Sequence, residues 1–367
     1  MKKTLLATAV AGALGASVGV AQAATIYNQD GTQLDLYGNI QIAYSNINDA
    51  AGDSEDQLFD NGSTIGISGQ HIINPGLTGY FKAEWEHDAD EEKIAGGVNT
   101  GDQSYMGLKG NFGDARVGSW DPLIDDWIQD PVTNNELFDV SDSTTAAFGG
   151  NNPINNDREG DKIQYMSPSF AGLQFAVGSQ FKGDAQDTFA GDDAGTEYSV
   201  DRDNSASFFG GLKYTVGAFS IAAAYDNLGT YDGSIESADG GSGQTAGDEF
   251  EAGDQYGVTA QYTMDSLRVA VKAEQYASDE DNADVNFYGV GARYGYGFGD
   301  LYGAYQYIDA DADSTYATTY GGDSFNEAML GLSYNISPAM YTYIEGIVRD
   351  REEDAADGVI VGAVYSF

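Results

Sequence analysis

Apolar and polar side chains alternate along most of this chain, and the alternating segments are joined by connections that are short and long in turn. Successive side chains of a strand point to opposite faces, so a period of two gives one apolar and one polar face. From Leu34 to Tyr44 the apolar set is Leu34, Leu36, Ile40, Ile42 and Tyr44, against Asp35, Asn39 and Gln41, with Tyr37 on the polar side. Phe81, Ala83 and Trp85 oppose Lys82, Glu84 and Glu86; Leu267, Val269 and Val271 oppose Arg268, Lys272 and Glu274. The pattern marks about sixteen strands, with cores at 33–45, 62–71, 77–87, 103–110, 113–120, 161–167, 172–182, 204–214, 218–226, 254–263, 266–277, 285–294, 300–308, 327–334, 340–349 and 358–367. One set of connections is short: 72–76, 111–112, 167–172, 215–218, 264–266, 295–299 and 335–339. The other is long: 46–61, 88–102, 121–160, 183–203, 227–253, 278–284, 309–326 and 350–357.

In an antiparallel up-and-down sheet, alternate connections fall at opposite ends. One end here would carry tight turns and both termini, the other eight long loops. A soluble β-sandwich also buries apolar faces, but it gives no reason for strict short–long alternation. Nor does it explain strands near ten residues, since ordinary strands run about five or six. A membrane barrel explains both, because a tilted strand needs roughly 9 to 11 residues to cross the hydrocarbon and closure leaves no unpaired edge in lipid. About sixteen strands also leave a water-filled interior, where Gln41, Lys82 and Arg268 stay hydrated.

Residues 1–23 have the form of an export signal: Lys2 and Lys3, an apolar stretch from Leu5 to Val20, and Ala21-Gln22-Ala23 for cleavage. The mature chain, 24–367, is then one barrel domain beginning near Ala24. The 16 Lys+Arg and 58 Asp+Glu of the full chain give a net charge of −42, and removing two lysines brings it to about −44. Such acidity excludes nucleic-acid binding, which needs clustered cations. The chain has no cysteine, which excludes disulfides and thiolate metal sites, and its two histidines, His71 and His87, leave little for His-based catalysis. Asp309-x-Asp311-x-Asp313 begins like a calcium loop but has Ser314 and Tyr320 where Gly and Glu are required. Gly289-x-Gly291 lacks the third glycine of a dinucleotide loop and lies in a strand, where glycine relieves crowding or bends the sheet. No metal, cofactor or enzymatic chemistry is therefore expected.

The whole mature chain resembles the general porins of Gram-negative outer membranes. The resemblance rests on Gln33-Leu34-Asp35-Leu36-Tyr37-Gly38 at the start and on the alternating closing strand Gly358–Phe367, with Val359, Val361, Ala363, Tyr365 and Phe367 outward. Tyr105-Met106-Gly107-Leu108-Lys109-Gly110 and Gln164-Tyr165-Met166-Ser167-Pro168 also look like family segments. The resemblance implies a sixteen-stranded barrel, a homotrimer, that passes small hydrophilic solutes and ions through the outer membrane. Its partners would be lipopolysaccharide and, through Tyr365 and Phe367, the barrel-assembly machinery. In the family the third loop folds inward and sets an acidic cluster against a basic wall. The loop here is 121–160, which points to Glu136, Asp139 and Asp142 for the acids and to Lys82, Arg116 and Arg158 for the wall. The chain departs from the family at Ala147, where some members carry Glu, and at Thr64, Asp102 and Ser119, where they often carry Arg.

Carboxylates crowd the other long loops too, as in Asp88-Ala89-Asp90-Glu91-Glu92, Asp279-Glu280-Asp281 and Glu352-Glu353-Asp354. A field of that sign raises the local cation concentration, so a cation preference is expected. The alternative is a channel specific for a sugar or other small solute, which inward aromatics such as Tyr37 and Tyr302 would favour.

Overall fold

A computed structural model describes residues 23–90, 98–133, 135–148, 159–181, 186–190, 197–202, 206–238 and 245–367. The expected export signal, residues 1–23, therefore lies outside the described residues, apart from Ala23. The barrel strands are β1 (Thr32–Asn48), β2 (Ser54–Asp60 and Thr64–Asn74), β3 (Leu77–His87), β4 (Val98–Gly110), β5 (Gly113–Ser119) and β6 (Lys162–Met166). They continue as β7 (Leu173–Phe181), β8 (Ala206–Val216), β9 (Phe219–Asn227), β10 (Asp254–Met264) and β11 (Leu267–Ala277). The last are β12 (Val285–Gly295), β13 (Asp300–Ala310), β14 (Ser324–Ser337), β15 (Met340–Arg349) and β16 (Gly358–Ser366). Each strand pairs antiparallel with the next, as in Tyr256↔Gln275 and Val290↔Tyr305. The ring closes where β16 pairs with β1, from Asn39↔Ser366 to Ile47↔Gly358. The fold is thus a closed up-and-down barrel of sixteen strands.

The closing strand and the segment Ala24–Gln29 share one edge of β1. Gly38 and Phe367 exchange backbone hydrogen bonds of 3.1 and 2.9 Å. Below that point Ala24–Gln29 pairs with β1, from Ala24↔Leu36 to Gln29↔Thr32. The N-terminal segment therefore continues the seam where the closing strand stops.

Alternation sends apolar side chains outward. Tyr44, Leu58, Met106, Val117, Val177, Leu212, Val258, Val271, Val290, Leu332 and Val361 are all exposed on the outer face. In lipid this surface is the buried one, so exposed apolar area here marks the membrane belt. Tyr44, Tyr262, Tyr307 and Tyr334, near strand ends, also face outward, as aromatic girdles do.

Two differences from the sequence expectation stand out. Ser54–Asp60, assigned to the first long loop, is the upper half of β2 and pairs with Ile42–Asn48. The turn sequence Asp60-Asn61-Gly62-Ser63 breaks the strand there: the Asp60 carboxylate accepts the Gly62 and Ser63 N–H groups at 3.0 and 2.7 Å, and Gly62 has φ +91°. In addition, Gln186–Ala190, Glu197–Arg202, Gly233–Ala238 and Glu249–Phe250 form a separate four-stranded sheet from the fourth and fifth long loops.

Candidate pore constriction

The third long loop enters the barrel instead of leaving it. After Trp120 it forms a helical stretch, Asp125–Gln129, that runs into α1 (Asp130–Thr133), and later α2 (Ser143–Phe148). Its apolar residues go to the inner wall. Leu123, Ile124, Trp127 and Ile128 pack with Ala176, Phe209, Ala222 and Ala224 of β7 to β9. Val132, Phe138 and Val140 pack with Tyr302, Met329, Tyr343, Ile347 and Ile360 of β13 to β16. Ile124, Ile128 and Val140 are completely buried, each worth roughly 1.5–3 kcal/mol relative to exposure. Trp127 thus packs the loop and Trp120 lies against Tyr105 and Arg116 of the wall, whereas Trp85 faces outward.

Wall glycines make the seat. A Cβ on Gly257 would lie 2.7 Å from Ile128 Cγ2, and one on Gly291 would lie 2.6 Å from the Val132 carbonyl oxygen. Gly291 is half of the Gly-x-Gly pair that the sequence excluded as a nucleotide loop; close backbone approach is its use here.

Three wall carboxylates hold the loop's backbone. Glu345 on β15 accepts the N–H groups of Glu136, Leu137 and Phe138 at 2.8, 3.0 and 3.0 Å. Glu327 on β14 accepts the Ser141 N–H at 2.7 Å, and Glu274 on β11 accepts the Ser143 N–H at 3.2 Å. All three are buried, and cations or hydroxyls complete their coordination. Lys272 lies 2.9 Å from Glu274, Arg351 lies 2.9 Å from Glu327, and the Tyr302 hydroxyl donates to Glu345 at 2.7 Å. Asn61, at the break in β2, donates to the Glu136 carbonyl at 2.9 Å.

A second loop joins this interior. The helix α3 (Thr315–Tyr320) carries Tyr316 inward, where its hydroxyl donates to Ser141 Oγ at 3.2 Å. Tyr316 packs with Phe287, Ile308, Phe325 and Ala146, giving a dry core inside β11 to β14. The wall left uncovered by this core and by the third loop is the one formed by lower β1 and by β2 to β5.

The three expected loop acids occupy different surroundings. Asp139 is exposed. Asp142 caps α2, accepting the Thr144 and Thr145 N–H groups at 3.0 and 3.1 Å. Glu136 accepts the Tyr341 hydroxyl at 2.9 Å. Burial raises the Glu136 carboxyl to about 7; Tyr341 opposes the rise and Glu345 adds to it. Burial, then Glu274, brings Asp142 up to about 6 against the pull of Lys272. Asp126 is also pushed up to about 6, by burial first and then by Asp121.

On the expected basic wall, Lys82 lies 3.0 Å from Glu84 and donates to Gln103 at 3.1 Å. Arg116 stacks on Trp120 with its guanidinium carbon 4.2 Å from the ring centre, and its charge acts on Asp126. Arg158 lies outside the described residues. Three cations that sequence reasoning did not assign to the site also act on the loop acids: Lys213 on Asp126, Arg268 on Asp130, and Arg293, directly opposite Arg268 across β11 and β12, on Glu136. Their inward parity next to short turns was the available signal. At the closing strand, Tyr365 faces outward and the Phe367 ring lies against Gly38.

A closed barrel with an apolar outer belt, a charged interior and an inward loop defines a membrane channel. A model of the Gram-negative porin family matches residues 7–354. Two relatives, a Halomonas sp. protein named "Monosaccharide porin" and the "Major outer membrane protein" of Halomonas elongata, are each 51% identical over the full length of both chains. The trimer form of OmpT from Vibrio cholerae superposes with a TM-score of 0.63 at 16% identity, over 92% of this chain and all of the other, a likeness of fold alone. The chain belongs to the Gram-negative porin family. It is an outer-membrane channel and not an enzyme.

Proposed function

We propose that this porin passes small hydrophilic solutes by diffusion with a preference for cations. The supporting observation is how the interior charge is distributed. Lys82, Lys272, Arg293, Arg349 and Arg351 are ion-paired with carboxylates of the barrel strands. The loop acids Asp126, Glu136, Asp139 and Asp142 come in addition to those carboxylates, with Arg116 and Lys213 acting on Asp126 and Arg293 on Glu136. Carboxylates lining the passage favour cations. In planar bilayers under a potassium chloride gradient, the reversal potential should favour potassium; a potential favouring chloride overturns the reading.

A second reading has its own support, the relative named for monosaccharides at 51% identity over both full chains. On that reading the same opening admits hexoses. Liposomes containing the protein should swell rapidly in isosmotic glucose and slowly in a trisaccharide; equal rates, or none, would count against it. We also propose a homotrimer, in line with the OmpT trimer, to be seen as a heat-modifiable band on detergent gels. Removal of residues 1–23 on export, recognition of Tyr365 and Phe367 during assembly, and contact of the acidic outer loops with lipopolysaccharide complete the proposal.

A further inference from the structure

Four inward tyrosines lie on glycines directly opposite in the neighbouring strand: Tyr37 on Gly66, Tyr80 on Gly107, Tyr302 on Gly331 and Tyr343 on Gly362. A Cβ on any of these glycines would overlap the ring. Each ring is therefore held flat, one face sealed against the wall and the other turned inward. Tyr302 and Tyr343 are each only 2% exposed, because the third loop covers them. Tyr37 and Tyr80 are half-exposed, because they lie on the wall that the loop leaves bare. One device thus serves the loop twice and is left bare of the loop twice, where the flexible side chains of Lys82 and Lys109 stand over the Tyr37 and Tyr80 rings at 6.0 and 5.1 Å.

The open pair lines a recess of about 330 Å³ toward the short-turn end of the barrel, together with Tyr105. Tyr80 and Tyr105 meet edge to face at 6.2 Å. Asp35, Gln70, Lys82 and Lys109 supply polar groups around the rings. Charge there nearly balances: Lys82 is paired with Glu84, and Asp35, which accepts from Thr25 and Gln33 at 2.6 and 2.7 Å, is offset by Lys109. Pre-held aromatic faces, several hydrogen-bonding groups and little net charge suit a small neutral polyol whose C–H face packs on a ring. The volume lies at the small end of ligand sites, about 300–1,000 Å³.

We infer that Tyr37, Tyr80 and Tyr105 form a binding subsite for a neutral monosaccharide on the bare wall. The inference rests on the monosaccharide reading above and adds a place where the solute pauses.

The test is single-channel recording of the full-length protein in potassium chloride, with glucose titrated from the short-turn side. Glucose should lower the current saturably, beyond the linear fall set by viscosity. Tyr105→Ala should raise the half-saturating concentration roughly tenfold, equivalent to one aromatic contact of about 1.4 kcal/mol. Gln70→Leu, outside the aromatic stack, should shift it in the same direction and stands as the test if Tyr105→Ala gives no channels. A purely linear fall, or saturation that neither variant shifts, overturns the subsite. Glucose-driven liposome swelling without saturable block would sink the subsite and leave transport standing. Failure of glucose to enter liposomes would sink both.

Discussion

At the scale of single residues, the acids of this porin divide between holding the loop and facing the water. Glu345 holds three peptide N–H groups of the third loop. Removing one partner of a buried hydrogen bond costs about 1–3 kcal/mol for each group stranded. Glu345→Ala should therefore loosen the loop, raising open-channel noise and lowering the thermal midpoint, and both can be read in bilayers and by circular dichroism melting. Glu136, by contrast, is set near 7, and Asp126 and Asp142 near 6. Each is charged above its value and neutral below it. Cation preference should hold at pH 8, weaken through pH 7 and fall further by pH 5, as followed by reversal potentials across that range; a flat profile would mean these groups do not set selectivity. Parity in the sequence was enough to place Lys82, Arg116 and Glu274 inward. The match of Glu345 to the backbone of residues 136–138 was not legible, because it joins segments some two hundred positions apart through groups that every residue possesses.

At the scale of elements, legibility followed the lipid. Strands that cross hydrocarbon must alternate, so Leu77–His87 and Met340–Arg349 agree with the sequence reading to the residue. Ser54–Asp60 is mostly polar and carries no such signal. The helices α2 and α3, six residues each, are too short to show a helical period. Wall glycines were legible as strand glycines but not as the seat of a loop. Because Gly291 meets the Val132 backbone, its replacement is not absorbed by a flexible side chain. Gly291→Val should push α1 off the wall and narrow the passage, and unitary conductance should fall; unchanged conductance would show that the loop can shift without affecting the opening.

At the scale of the whole molecule, a chain of net charge −42 forms a barrel whose strand cations, where described, point inward. Distant loop acids act through solvent, over a screening length of about 10 Å at 0.1 M salt and about 3 Å at 1 M. Acids inside the constriction are screened less. Potassium preference measured at both salt levels should fall partly and then level off; complete loss would assign it to the outer loops, and no change to the constriction alone.

The seam on β1 has a practical consequence of its own. Phe367 ends beside Gly38, and the segment from Ala24 begins beside Leu36 on the same edge. The first strand made stays half-unpaired until the last arrives, so a truncated product has no smaller ring to settle for. A fusion appended after Phe367 would start on the track that Ala24–Gln29 occupies and would have to turn away at once. An affinity tag or reporter for this porin therefore belongs in a long outer loop, where the chain already leaves the cylinder.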